Sequence, residues 1–190
     1  MKITAIDVFD YENRFAHGTY AMSHGRTSTG HQSFVVRVRT DEGLEGWGET
    51  CPHGHTYLQT FPEGELAALG LLAEALIGHD PRNPGAINRA MDETLLAGQG
   101  AKSGLDAACL DILGKATGQP VATLLGGVLS ESFDLFIAVP VDTPEAMAAY
   151  AEREANNGVR KIQVKVGDEP AVDIARVRAV YEAVGSRATI

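Results

Sequence analysis

Lys161-Ile162-Gln163-Val164-Lys165-Val166-Gly167 is the stretch on which the fold turns. Its residues alternate, so an extended chain places Ile162, Val164 and Val166 on one face and Lys161, Gln163 and Lys165 on the other. Helix-like segments flank it on both sides. That is a βαβ arrangement, in which helices cover the strand and both of its faces are expected to be apolar. Lys165 has no packing reason to stand there, and it reads as chemistry at the C-terminal end of a strand. A lysine whose amine reaches solvent past the strand end is the plainer alternative.

Working outward, the order of elements after Gly127 alternates. Residues 133–139 read as a strand, and Thr143 caps a helix that begins with Pro144 and runs to Asn156-Asn157-Gly158. Residues 161–166 are the second strand, 170–184 the second helix, and 188–190 the start of a third strand. Two complete βα units cannot close an eight-stranded barrel, which needs about 250 residues. The chain is therefore expected to be a fragment, truncated in its third barrel strand, unless something else covers the exposed edge.

Residues 1–127 have a different character. Residues 2–9 form one strand-like run, and Phe34, Val36 and Val38 alternate with Val35, Arg37 and Arg39 in another. Asp41-Glu42-Gly43 then turns the chain into a return strand over residues 44–49, a hairpin by its turn residues. Glycines at 43, 46 and 48 around Trp47 point to close backbone packing on that strand. Three helices follow. Leu66, Leu69, Leu72, Ala73, Leu76 and Ile77 recur at helical spacing, as do Ile87, Ala90, Met91, Thr94 and Leu95. The third helix, over 101–117, places Leu105, Ala108, Cys109, Ile112, Leu113 and Ala116 on one face, with Gly118 as its C-terminal cap and Pro120 beyond. Strands followed by helices describe a small α+β domain over residues 1–127, with residues 128–190 as a second domain.

Composition excludes several classes. With 190 residues and 44% hydrophobic content the chain can bury a substantial core. A formal net charge of -9 argues against nucleic acid or an anionic membrane as partner, since both call for clustered Lys and Arg. No targeting segment or long apolar run is visible, so a cytoplasmic location is the default expectation. Cys51 and Cys109 are read as reduced thiols rather than a disulfide framework. The run Gly98-Gln-Gly-Ala-Lys-Ser-Gly104 departs from a phosphate loop because Ala101 stands where glycine is required before Lys-Ser. Packing at a helix N-terminus is the better reading, with Lys102 on the surface.

The run from Ala101-Lys-Ser-Gly-Leu-Asp to Leu-Leu-Gly-Gly127 resembles a signature of the mandelate racemase and muconate lactonizing enzyme group of the enolase superfamily. Gly43-Leu-Glu-Gly-Trp-Gly-Glu49 and the Lys165 strand resemble the same group. Cys109, where the group usually has a different apolar residue, is a minor departure. The resemblance implies an N-terminal α+β capping domain over residues 1–127, followed by the first βα units of a TIM-type (β/α) barrel. It also implies an enzyme that removes the proton α to a carboxylate, with Lys165 as base and Mg²⁺ stabilising an enediolate. A lysine becomes a useful base when burial and nearby positive charge bring its pKa down to roughly 7–8. The metal ligands and the second base are expected beyond Ile190, so these 190 residues alone are expected neither to bind catalytic Mg²⁺ nor to turn over substrate.

Gln163 stands where many relatives have the first lysine of Lys-x-Lys, and a neutral amide there can donate to a substrate carboxylate without adding charge. This Gln-x-Lys version, with Gly48-Glu-Thr-Cys-Pro52 and Tyr57, resembles the branch acting on proline-type substrates. The expected activity is a racemase or epimerase of a proline-type amino acid or betaine, an isomerase. A cis-3-hydroxyproline dehydratase, a lyase, is the alternative. Tyr57 then contacts substrate, its face suited to a cationic ring nitrogen. Two segments, His17-Gly-Thr-Tyr-Ala-Met-Ser-His-Gly25 and Cys51-Pro-His-Gly-His-Thr-Tyr57, are expected to close over the barrel mouth and bring Tyr20 and His55 near it. The expected partner is a small carboxylate substrate, and the full-length protein is expected to be a homo-oligomer. Two readings of another class remain. Cys51, His53 and His55 with His17 or His24 could bind zinc, making the chain a metal-binding module, or the chain could be a non-catalytic associate of intact protomers.

Overall fold

The structure, a computed structural model, describes residues 1–16, 18–54 and 57–190. Its chain falls into two compact units, Met1–Arg14 with Gly30–Leu129 and Phe15–Thr29 with Ser130–Ile190. Residues 15–29, which the sequence groups with the N-terminal domain, pack with the second unit.

The first unit is built on three antiparallel strands, β1 (Ile3–Arg14), β4 (Gly30–Thr40) and β5 (Glu45–Thr50), in the order β1-β4-β5. Val8 lies opposite Val36 and Ile6 opposite Val38, while Val36 and Val38 face Gly48 and Gly46 on the other side. The expected hairpin is present. Gly43 takes φ +80°, a conformation that favours glycine, and the Thr40 hydroxyl accepts from the Leu44 N–H at 3.1 Å to close the turn. Phe34, Val36 and Val38 are fully buried, and Arg39 on the opposite face is exposed.

Helices α1 (Pro62–Leu76), α2 (Pro84–Thr94) and α3 (Gln99–Thr117), with the short α4 (Val121–Leu124), follow the strands. Leu69, Leu72, Ile87, Met91, Leu105, Ala108 and Ile112 join Phe34, Val36 and Val38 in one buried cluster. Local chemistry sets the ends. Proline opens α1 and α2, the Asn83 side chain accepts from Ala86 N–H at 3.1 Å, and Gly118, at φ +66°, closes α3.

Three details differ from the sequence expectation. In α1 the buried stripe runs through Glu65, Ala68, Leu69, Leu72 and Leu76, leaving Leu66 and Ile77 about half exposed on its flanks. In α3 burial ends at Gly114, so Ala116 is exposed. Lys102 is only 5% exposed, not a surface residue. Its stem lies inside while its ammonium reaches Asp92 of α2 at 2.7 Å, because a long side chain can bury its methylenes if its charge finds a partner.

The closest packing joins β5 to α3. A Cβ at Gly46 would stand 2.0 Å from the Ala108 carbonyl oxygen, and one at Gly48 would stand 2.0 Å from that of Gly104. The two backbones touch with no side chain between them. β5 is the sheet edge, and α3 also covers it chemically. Trp47 N–H donates to the Asp111 carboxylate at 2.9 Å, and the Lys115 ammonium donates to the Glu45 carbonyl at 2.8 Å, so two edge groups find partners.

The second unit contains β6 (Phe136–Val139) and β7 (Lys161–Val164), paired in parallel, with α5 (Pro144–Asn156) and α6 (Pro170–Val184). The third strand expected over 188–190 appears as a single parallel bridge between Lys161 and Thr189. Residues 133–135 lie outside β6, whose pairing begins where Phe136 meets Lys161. Val139, Met147, Ala151, Ala155, Ile162, Val180 and Val184 form this unit's core. Among the described residues no helix is long and apolar enough to cross a membrane.

Gly48→Ala is expected to lower stability by roughly 3 kcal/mol, since backbone atoms cannot yield to the new methyl. Gly70→Ala, in open space within α1, is expected to raise it by roughly 0.5–1 kcal/mol. Urea unfolding of both variants checks the pair.

Glu65, 4% exposed, has its carboxyl pushed above the usual range by burial, with hydrogen bonds from the Ala101 backbone and the Thr50 side chain pulling the other way. A raised acid stabilises the fold fully below its unfolded value, and that contribution is lost as pH rises through its folded value. Glu65→Gln is therefore expected to melt higher than the parent at neutral pH. Near pH 4, where the parent carboxyl is protonated, thermal melts of the two should coincide.

Candidate functional site

Lys165 is the first residue beyond the β7 ladder, whose last rung pairs Val139 with Val164. It is half-buried. Ile162 is buried on the helix-covered face, and Lys161 and Gln163 are exposed on the other, so the alternation expected from the sequence is present. Val166 departs from it. The strand has ended by then, and Val166 is exposed.

The chain after Lys165 is held by a charged clamp. Gly167 N–H and Asp168 N–H both donate to one oxygen of Asp173, at 2.8 and 3.0 Å. The other Asp173 oxygen accepts from the Arg176 guanidinium at 3.0 Å, and the same nitrogen reaches Asp168 at 2.6 Å. Arg176 Nε donates to the Asp142 carbonyl at 2.8 Å, in the loop that follows β6. One buried guanidinium thus joins the two loops at the C-terminal ends of the strands. The Gly167 N–H, with help from Arg176, holds the Asp173 carboxyl below the usual range, and Asp168 chiefly raises the Arg176 pKa.

The segment 15–29 meets the same strand ends. It carries a small hairpin, β2 (Tyr20–Ala21) with β3 (Thr27–Ser28), whose tip holds His24 at φ +62°. Ala21 carbonyl accepts from Val141 N–H at 3.2 Å, and Ser23 packs on Gly167 so tightly that a Cβ there would lie 2.8 Å from its hydroxyl. Tyr20 is half-buried, its ring edge-on to Phe15 at 6.3 Å. The second unit therefore carries Tyr20, Gln163 and Lys165, and Ala21 and Ser23 of the Tyr20 hairpin meet the loops at the strand ends.

Tyr57 belongs to the first unit. It is 53% exposed, and its ring lies 5.6 Å from that of His53. His53 Nδ1 is 3.1 Å from His31 Nε2, and burial followed by the neighbouring His53 lowers the His31 pKa. His17 and His55 lie outside the described residues. His53 pairs with His31, and His24 sits on the hairpin of the other unit. Among the described residues no group of three or more His, Cys, Asp or Glu is arranged to hold a metal ion. Asp168 and Asp173, which follow the Lys165 strand end, are committed to Arg176 and to backbone donors.

Sequence reasoning passed over His31, Asp173 and Arg176. The signal for the last two was an Asp in the first turn of a helix with an Arg one turn later, and Gly167-Asp168 just before the helix begins.

Residues 5–126 match the family model described as mandelate racemase / muconate lactonizing enzyme, N-terminal domain. The chain belongs to the mandelate racemase/muconate lactonizing enzyme family. Its relatives in that family include racemases, epimerases, dehydratases and cycloisomerases. It is 45% identical over 179 residues to the cis-3-hydroxy-L-proline dehydratase of Roseibium aggregatum, an alignment covering 94% of this chain and 49% of the relative. The solved N-succinyl Arg/Lys racemase of Bacillus cereus is similar to all of this chain with a TM-score of 0.93 and 34% identity, and 51% of that structure is covered. A mandelate racemase/muconate lactonizing enzyme from Roseovarius nubinhibens, solved with magnesium, is similar over 96% of this chain and 50% of its own, with a TM-score of 0.91 and 36% identity. The chain spans about half the length of the curated relatives it matches. In family terms its order is an N-terminal α+β domain followed by the first βα units of the barrel.

Gly167→Ala combines a φ of +140°, where L residues are strained, with the Ser23 contact. A loss of roughly 1–3 kcal/mol is expected. Adding Ser23→Gly should recover only the steric part, which a double-mutant cycle of unfolding free energies separates.

Proposed function

We propose that this chain carries one half of the proton-transfer site of an enzyme that removes the proton α to the carboxylate of a proline-type amino acid or betaine. The observation that carries this reading is the placement of Lys165. It leaves the C-terminal end of a parallel strand, the end at which βα folds bind ligands, and the hairpin that carries Tyr20 bonds to the loop after the neighbouring strand at that end. Lys165 takes the proton as general base. Gln163, on the same strand face, donates a hydrogen bond to the substrate carboxylate. Tyr20, Tyr57 and His55 are assigned to substrate contact on the family resemblance, an aromatic face such as that of Tyr57 suiting a cationic ring nitrogen.

The outcome after proton removal is loss of a β-hydroxyl, as in a cis-3-hydroxy-L-proline dehydratase, because the relative of that name is 45% identical whereas the racemases and epimerases compared lie between 27% and 35%. Return of a proton to the opposite face, giving a racemase or epimerase, is the second reading on the same scaffold. Magnesium is proposed for the whole protein on the strength of solved relatives that contain it.

The test is solvent exchange of the α proton of cis-3-hydroxy-L-proline in deuterium oxide, followed by NMR with the full-length protein. Exchange or dehydration is expected, EDTA should stop it and Mg²⁺ should restore it. Lys165→Ala should slow it by about 10³-fold or more. Undiminished turnover in that variant would remove Lys165 from the role of base.

A further inference from the structure

We propose that Arg176 is the positioning residue of the Lys165 site, setting the strand end from which Lys165 projects. The inference rests on the reading of Lys165 as base and adds a residue that acts through it. Beyond Val164 no ladder pairing holds the chain, so Lys165 and Val166 are bracketed by the last rung on one side and by the next anchored backbone on the other. That anchor is the pair of N–H groups of Gly167 and Asp168, both donating to Asp173.

Asp173 cannot fix them alone. It stands beside Asp168, and two carboxylates sharing so small a space repel unless a cation lies between them. Arg176 supplies it, one nitrogen reaching Asp168 at 2.6 Å and Asp173 at 3.0 Å. Its Nε is simultaneously bonded to the Asp142 carbonyl, so the clamp is referenced to the loop after β6 as well as to α6. Arg176 is 8% exposed, which shields these bonds from the solvent screening that weakens surface pairs. The Ser23 contact to Gly167 and the Ala21 bond to Val141 place the Tyr20 hairpin on the same two loops. Movement of the clamp would therefore shift the base and the hairpin together.

The guanidinium is required for its shape as much as for its charge. Its planar fork directs Nε toward one loop and a terminal nitrogen toward two carboxylates, whereas a lysine ammonium is a point charge on a single stem. Arg176→Lys thus keeps the charge and loses the geometry. A change in Lys165 in that variant reports position, not altered net charge.

The experiment uses the full-length protein and two readouts. Competitive acetylation across the alkaline range, quantified by mass spectrometry of the Lys165 peptide against exposed Lys2, measures the pH at which Lys165 becomes half-reactive without any substrate. Steady-state kinetics with cis-3-hydroxy-L-proline measures turnover. In Arg176→Lys the half-reactive pH of Lys165 is expected to move by about half a unit or more while Lys2 stays fixed, and kcat should fall about 10- to 100-fold with KM within about threefold. Asp168→Asn, altering the more exposed arm of the clamp, should move both readouts the same way by less, and it serves if Arg176→Lys fails to fold. A folded variant with a lower melting temperature but an unmoved Lys165 profile and unchanged kcat would overturn the proposal, leaving Arg176 a purely structural ion pair. If the parent shows no reaction with this substrate, the proposed function falls while the labelling arm still decides the role of Arg176.

Discussion

The contact between the backbone of β5 and the backbone of α3 is the constraint around which the first unit is arranged. Gly46 and Gly48 let the strand lie against the carbonyls of Ala108 and Gly104 with no room for even a methyl group. Close-packed interiors transmit such a restriction, because neighbouring side chains cannot shift without opening voids. With α3 held at that distance, Leu105, Ala108 and Ile112 enter the same buried cluster as Val36 and Val38 of the central strand. The approach also puts Asp111 and Lys115 over a sheet edge that would otherwise offer unpaired groups to another chain. At the other end of α3, Glu65 lies against Gly100, where a Cβ would come within 2.7 Å of its carboxylate.

The second unit is organised on a different physical basis at its functional end. Its core is ordinary, with Ile162 and Val139 set among Met147, Ala151, Val180 and Val184. At the loops past the strands, charge does the joining. Arg176 between Asp168 and Asp173, with a third bond to the Asp142 carbonyl, does there what shape does between β5 and α3. Removing one partner from such a network leaves the others partly buried and uncompensated, so the arrangement behaves as a unit. Lys165 lies between a hydrogen-bonded ladder and this clamp, a placement that suits a group whose position matters more than its contribution to stability.

Much of this was legible in the residues because the signals are local. The hairpin around Gly43, the caps at Thr143 and Gly118, and the helix over Pro170–Val184 depend on neighbours a few positions away. Helical periodicity predicts a buried stripe but not its rotation to within one residue, and α1 buries Glu65 where Leu66 was expected. Lys102 shows the same limit. Whether a lysine stem is covered depends on α2, and its partner Asp92 lies ten residues away on that helix. In the site, alternation singled out Lys165, and the family resemblance singled out Gln163. Arg176 carried no comparable signal, since a helical Asp-x-x-Arg pair ordinarily reads as a solvated surface pair. His31 drew no notice because its contact with His53 joins the start of one strand to a loop after another.

By itself, then, the sequence determined the order of elements, the hairpin, the change from segregated to alternating strands and helices, and the face on which Lys165 stands. These follow from side-chain period and backbone preference, which act over short separations in the chain. Only the tertiary structure decided that residues 15–29 fold with the second unit, that Lys102 and Glu65 are buried, and that Arg176 joins two loops at the strand ends. Those outcomes depend on which surfaces meet and on which charges are removed from water together. Burial and pairing are properties of neighbours in space, and no local pattern specifies them.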